Sequence, residues 1–123
     1  MEIMRYAIQI NDRGPDSEAV TGGYEFIKAA LACGHEVLLV FFYHDGVMNA
    51  FSDPNALMMG PDWSALAEKG IDLLVCTAAS ERRGPLGDNP TLRAGFKSGG
   101  LGSWVDACLK ADRTLVFGVP REA

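Results

Sequence analysis

The run Glu36-Val37-Leu38-Leu39-Val40-Phe41-Phe42 is apolar at six successive positions and closes on Tyr43-His44-Asp45-Gly46. A strand with one wet face alternates apolar and polar residues. A continuous apolar run points instead to a strand covered on both faces, as in parallel sheets whose crossovers are helices. The neighbouring segments agree. Upstream, Arg5-Tyr6-Ala7-Ile8-Gln9-Ile10 is short and β-rich and stops at Asn11-Asp12-Arg13-Gly14-Pro15, a cluster of turn formers. Between the two strands, Val20, Tyr24, Ile27 and Leu31 recur at steps of four, three and four, which predicts one amphipathic helix from Ser17 to Cys33, closed by Gly34.

Downstream the alternation continues. Asp62, after Pro61, is a capping residue for a helix that runs to Lys69 with Gly70 as its stop, and Ile71 to Cys76 reads as the third strand. A third helix is expected over Ser103–Ala111 and a fourth strand over Arg113–Phe117. The stretch from Thr77 to Gly102 is rich in Gly, Pro and Asn and reads as irregular chain with a binding or lid role, with a short helix around Thr91–Lys97. Strands separated by helices imply βαβ crossovers, hence an α/β fold with a mostly parallel sheet between helix layers. With 123 residues, no internal repeat and no linker, residues 1–123 form a single domain.

Composition narrows the function. Eleven Lys+Arg against 16 Asp+Glu leave a net charge of −5, which argues against direct binding to a phosphate backbone. No apolar run approaches the roughly 18 residues of a membrane span, and the first residues lack the pattern of a secretory signal, so a cytoplasmic location and no membrane contact are expected. Cys33, Cys76 and Cys108 are an odd set, 43 and 32 residues apart, and neither His35 nor His44 stands with a cysteine pair. A disulfide framework, a metal site and a cofactor are therefore not expected.

In parallel α/β sheets, chemistry gathers beyond the carboxyl ends of the strands. Here that edge carries Asn11–Asp16, Tyr43–Asn49 and Cys76–Gly84. Cys76 ends an apolar strand, is followed by the small Thr77-Ala78-Ala79-Ser80, and precedes Arg82 and Arg83. Cationic neighbours favour thiolate, the attacking form of the group. The plainer reading of Cys76 is a small hydrophobe closing a strand. Cys33 and Cys108 are assigned to packing, the latter a four-residue step from Trp104. His44-Asp45 reads as a solvated turn that lines the site beside Tyr43. Cys76 and Arg82 also match C-x5-R, the spacing of cysteine phosphatases, although no glycine lies within and Glu81 adds a negative charge. Gly99-Gly100-Leu101-Gly102 does not directly follow a predicted strand and so is no dinucleotide fingerprint. Met48, Phe51, Leu57, Met58 and Met59 form an apolar set in a loop region, read either as subunit contact or as cover for the domain's own core.

Met4-Arg5-Tyr6-Ala7-Ile8, the block from Val40 to Val47, Cys76-Thr77-Ala78-Ala79 with Arg82-Arg83-Gly84, and Ser98-Gly99-Gly100-Leu101-Gly102 occur in one order over nearly the whole chain. Together they resemble the DsrE/TusD branch of the DsrE/DsrF-like sulfur relay proteins. Thr77, Ser80 and Glu81 depart from the more apolar residues of that family. The resemblance implies a three-layer α/β/α sandwich in which Cys76 accepts sulfane sulfur as a persulfide and passes it on. It further implies service in tRNA 2-thiouridine synthesis or dissimilatory sulfur oxidation, with sulfur donor and acceptor proteins as partners. The expected assembly is a hetero-oligomer with related subunits or a homo-oligomer. Arg82 and Arg83 are then candidate thiolate stabilisers, and Tyr43, His44 and Asp45 candidate lining residues. The alternatives are a non-catalytic assembly subunit of such a complex and the C-x5-R phosphatase.

Overall fold

Five strands pair side by side, all parallel: β1 (Arg5–Ile10), β2 (Glu36–Phe42), β3 (Leu73–Cys76), β4 (Phe96–Gly99) and β5 (Arg113–Phe117), in the spatial order β4-β3-β2-β1-β5. The structure is a computed structural model; it describes residues 2–14, 16–51, 60–83 and 91–119, and of Arg83 the backbone alone. Among the described residues, four α-helices join the strands: α1 (Glu18–Ala32), α2 (Trp63–Glu68), α3 (Thr77–Arg83) and α4 (Leu101–Lys110). A 3-10 helix, His44–Ala50, follows β2 directly after Tyr43.

The two faces of the sheet are closed by different helices, as register shows. Ile10 pairs with Phe42 on one side and with Phe117 on the other, so these three side chains share a face. There α1 covers β1, β2 and β5, and Trp63 of α2 meets both Phe42 and Tyr24 edge-on, with ring centroids 4.9 and 5.3 Å apart. Gln9, Phe41 and Val116 point to the opposite face, where Trp104 of α4 stacks on Phe41 at 5.8 Å. The result is an α/β/α sandwich, as expected. Trp63, Phe41, Phe42, Ile8, Ile10 and Ile27 lie fully buried between the layers and make up much of the hydrophobic stabilisation.

Local signals account for most of the elements. Ser17 caps α1 by accepting the amide of Val20 at 3.2 Å, and Asp62 caps α2 by accepting that of Ala65 at 3.3 Å. Val20 and Ile27 are buried, with Tyr24 and Leu31 half-buried on the same stripe. Four readings need correction. The stretch from Thr77 to Gly102, read as irregular, opens with α3, since Thr77–Arg83 hold neither Gly nor Pro to stop a helix. The expected helix around Thr91–Lys97 is absent; its end forms β4 instead, a fifth strand. Consequently Gly99-Gly100-Leu101-Gly102 does adjoin a strand: Gly99 ends β4, Gly100 caps α4 and Leu101-Gly102 open it. Cys33 is exposed rather than packed, because it caps the carboxyl end of α1 and lies beyond the buried stripe.

The seat of α1 on the sheet is set by two adjacent glycines that differ in surroundings. A Cβ on Gly23 would stand 2.6 Å from Ile10 Cδ1 and 3.2 Å from the ring of Phe117, whereas one on Gly22 would meet nothing within 4 Å. Gly22→Ala is therefore expected to raise the free energy of unfolding by about 0.5–1 kcal/mol through helix propensity. Gly23→Ala is expected to lower it by about 1–3 kcal/mol through overpacking. Urea titrations of the two variants against wild type check both signs.

Candidate functional site

Because all strands run the same way, their carboxyl ends meet on one edge. Cys76 is the last residue of β3, and α3 begins at the next residue without a loop. The Ser80 hydroxyl donates to the Cys76 carbonyl at 2.9 Å, tying the first turn of α3 to the strand end. On one side of Cys76, the adjoining register position is Gly99 of β4, immediately before α4 opens with Gly100 as an N-cap that offers no side chain. Gly99 thus lies one strand spacing, ~5 Å, from the backbone of Cys76, and the amino end of α4 follows it. The positive end of its helix dipole faces that edge. On the other side, Phe42 pairs with Val75, so Tyr43 stands one step on, level with Cys76.

The 3-10 helix forms the roof of this edge. Tyr43 N–H donates to the Ile10 carbonyl at 3.0 Å, and Gly46 N–H to the Tyr43 carbonyl at 2.8 Å. His44 takes a φ of 50°, uncommon for a residue with a side chain, and its ring lies 4.1 Å from that of Tyr43. Gly46 is obligatory for steric reasons: a Cβ there would fall 1.9 Å from the carbonyl oxygen of Ile10, a backbone atom that cannot swing aside. Asn49 locks the helix down, its Nδ2 donating at 2.9 Å to both the Asp12 and the Gly46 carbonyls. Arg93 holds the far end, its Nη1 donating to the Asn49 carbonyl at 3.1 Å and its backbone N–H to the Ala50 carbonyl at 2.8 Å. With α3 packed against the same helix, Cys76 is buried to 2% exposure.

The structure thus brings Tyr43 level with Cys76 at the same edge and leaves His44 and Asp45 half-buried in the first turn of the roof. Arg82 is exposed on α3, more than one turn along from Cys76; Arg83 ends that helix. The residues between Cys76 and Arg82 are α-helical, so they do not form the loop of inward N–H groups by which a C-x5-R phosphatase holds phosphate. Met48 and Phe51 pack half-buried against the core, while Leu57, Met58 and Met59 lie outside the described residues. Among the described residues, no group of three or more His, Cys, Asp or Glu could hold a metal ion, and no helix is long and apolar enough to cross a membrane. Asn49, Arg93 and Gly99 were not singled out individually from sequence, since each acts through a backbone partner far along the chain.

A model of the DsrE/DsrF-like family matches residues 4–117. The chain belongs to the DsrE/DsrF-like family. It is 39% identical, over 94% of its length and 99% of the relative's, to a protein of Allochromatium vinosum named DsrE. It is 35% identical to the sulfurtransferase TusD of Enterobacter sp. (strain 638), over 93% of this chain and all of that one. It is 36% identical to a sulfurtransferase TusD homolog of Pseudomonas aeruginosa, over 96% of this chain and all of that one. The fold also matches the crystal structure of the YchN protein of E. coli, with a TM-score of 0.74 over 94% of this chain and all of that one, at 18% identity.

Burial separates the three thiols. Cys33 is exposed, Cys108 half-buried and Cys76 buried. In the native protein, iodoacetamide is expected to label Cys33 first and Cys76 last, and the three rates are expected to converge in urea. Peptide mass mapping over a time course reads the order.

Proposed function

We propose that this chain carries sulfane sulfur on Cys76 and hands it between protein partners. The observation that carries the reading is the position of Cys76: it is the one described cysteine at the carboxyl edge of a parallel sheet, beside the open amino end of α4 and level with Tyr43. Relatives over nearly the full length are named sulfurtransferases. The net charge of −5 favours protein partners over direct contact with nucleic acid.

The chemistry needs one thiol. Cys76, as thiolate, attacks the outer sulfur of a donor persulfide; the donor's S–S bond breaks, and the donor thiolate leaves and takes up the proton that Cys76 gave up. The product is a Cys76 persulfide. An acceptor thiolate then attacks the outer sulfur of that persulfide, and Cys76 leaves as thiolate. Each step exchanges one S–S bond for another, so no external oxidant or reductant enters. Tyr43, His44 and Asp45 wall the sulfur, while Arg82 and Arg83 supply positive charge at the end of α3, where an approaching anionic group is received.

The test is loading with a persulfidated donor protein, followed by mass spectrometry under non-reducing conditions. The peptide containing Cys76 is expected to gain the mass of one sulfur, Cys76→Ser to gain none, and Cys33→Ser and Cys108→Ser to load as wild type. Sulfur found only on Cys33 or Cys108 of a folded protein overturns the reading. The double variant R82A/R83A is expected to slow loading from an anionic donor by about an order of magnitude, with the difference shrinking as salt is raised. Stopped-flow loading at two ionic strengths measures it.

A further inference from the structure

Cys76 is 2% exposed, yet the transfer proposed for it needs a donor sulfur in line with its own. Some part of its cover therefore moves. The strand ends are fixed by their ladder, and α4 is seated by Trp104, which stacks on Phe41 in the core. The 3-10 helix His44–Ala50, which packs on both α3 and β3, is held more lightly. Only Gly46, Val47 and Ala50 of its seven residues are buried. Seven residues is long for 3-10 geometry, whose hydrogen bonds are poorer than those of an α-helix and which recurs at hinges. Both flanks are extended: Tyr43 has φ −133° and ψ 164°, and Phe51 φ −105° and ψ 143°. At the first position of the helix, His44 is the one non-glycine among the described residues with a positive φ, 50°.

We infer that His44–Ala50 is a lid over Cys76, hinged at His44 and Phe51 and latched by Asn49 and Arg93, which opens while the sheet stays folded. What the lid admits, a persulfide donor, rests on the sulfur-carrier reading above; the lid itself rests on its own geometry. The latches are few. Asn49 Nδ2 donates to the Asp12 carbonyl, tying the lid to the loop after β1, and to the Gly46 carbonyl, which stiffens the lid as one piece. Arg93, from the segment before β4, fastens the far end: its Nη1 donates to the Asn49 carbonyl and its backbone N–H to the Ala50 carbonyl, beside a single bridge between Phe51 and Leu92. Two features work against the latches. His44 holds a left-handed backbone that a residue with a side chain adopts at a cost, and extension at the hinge releases it. Asn11, whose Cα lies 3.3 Å from where a Gly46 Cβ would stand, is 2% exposed, and its Oδ1 accepts no hydrogen bond. A buried acceptor without a donor penalises the shut arrangement, and water entering the edge removes that penalty. Latches and strain are both small beside the burial that holds the sheet together, so the lid opens as a local event.

Iodoacetamide labelling of Cys76 in the full chain, read by peptide mass mapping at urea concentrations below the unfolding transition, tests the lid. Amide hydrogen exchange is followed in parallel at Gly46, which donates to Tyr43 at the hinge, and at Val40, which donates to Asp72 within the sheet. Cys76 labelling and Gly46 exchange are expected to report one opening constant with little dependence on urea, whereas Val40 exchange carries the full slope of global unfolding. Asn49→Ala and Arg93→Ala are each expected to speed Cys76 labelling about fivefold, the loss of one net hydrogen bond across the margin of the lid. The double variant is expected to exceed either, and exposed Cys33 to label at an unchanged rate in all of them. Circular dichroism confirms that each variant is folded, and the urea dependence of wild type needs no variant. Cys76 labelling that carries the full slope of global unfolding overturns the inference, as does labelling that neither substitution speeds. Sulfur uptake from a persulfidated donor protein is scored separately. A Cys76 that labels through local opening yet takes up no sulfur supports the lid and overturns the carrier reading alone.

Discussion

The constraint on which this molecule rests is that its five strands run in one direction. Parallel neighbours cannot be joined by tight turns, so every connection must cross back over a face of the sheet, and all the carboxyl ends collect on one side. From that follow the helix layers, the continuous apolar character of β2, and the meeting of Asn11, Tyr43 and Cys76 at a single edge although they are dozens of residues apart. The reversal of direction after β4, which places β5 on the far side of β1, sends α4 to the opposite face from α1 and α2. Among the described residues, that face receives one helix, of ten residues, against five strands.

What could be read from the chain follows the strength of local physics. The bounds of β1, β2 and β5 were legible because short β-rich or apolar runs are bracketed by turn formers. Helix α1 was legible because its stripe, its serine cap and its terminal glycine all agree. β4 was not, because Phe96 is its only buried residue and Lys97 and Ser98 face solvent; pairing with β3, a tertiary fact, makes it a strand. The assignment of Cys33 to packing failed for a related reason. One residue beyond the end of a stripe, side-chain direction is decided by the cap and not by the period.

The candidate site shows the same division. Cys76 stood out because strand ends are where parallel sheets expose chemistry; the family itself was legible in the residue blocks, and its model matches residues 4–117. Its burial was not legible, since the roof above it is built from backbone carbonyls of Ile10, Asp12, Gly46, Asn49 and Ala50. A carbonyl has the same chemistry at every residue, so no residue type announces its role. Gly46 is the exception: a missing side chain beside the Ile10 carbonyl is a steric necessity that a glycine between β2 and the next helix already hinted at.

The depth of Cys76 has a consequence for how such a thiol chooses its reactants. Small diffusible thiols and oxidants react according to collision, and a sulfur at 2% exposure presents almost no target to them. If Cys76 carries sulfur as proposed, a partner docking on the strand ends would spend binding energy on displacing the Tyr43–Ala50 roof, and the choice of reactant would pass from intrinsic reactivity to mechanical fit. In that reading the stiffness of the roof, to which the hydrogen bonds of Asn49 and Arg93 contribute, would set a threshold that only a shape-matched surface crosses.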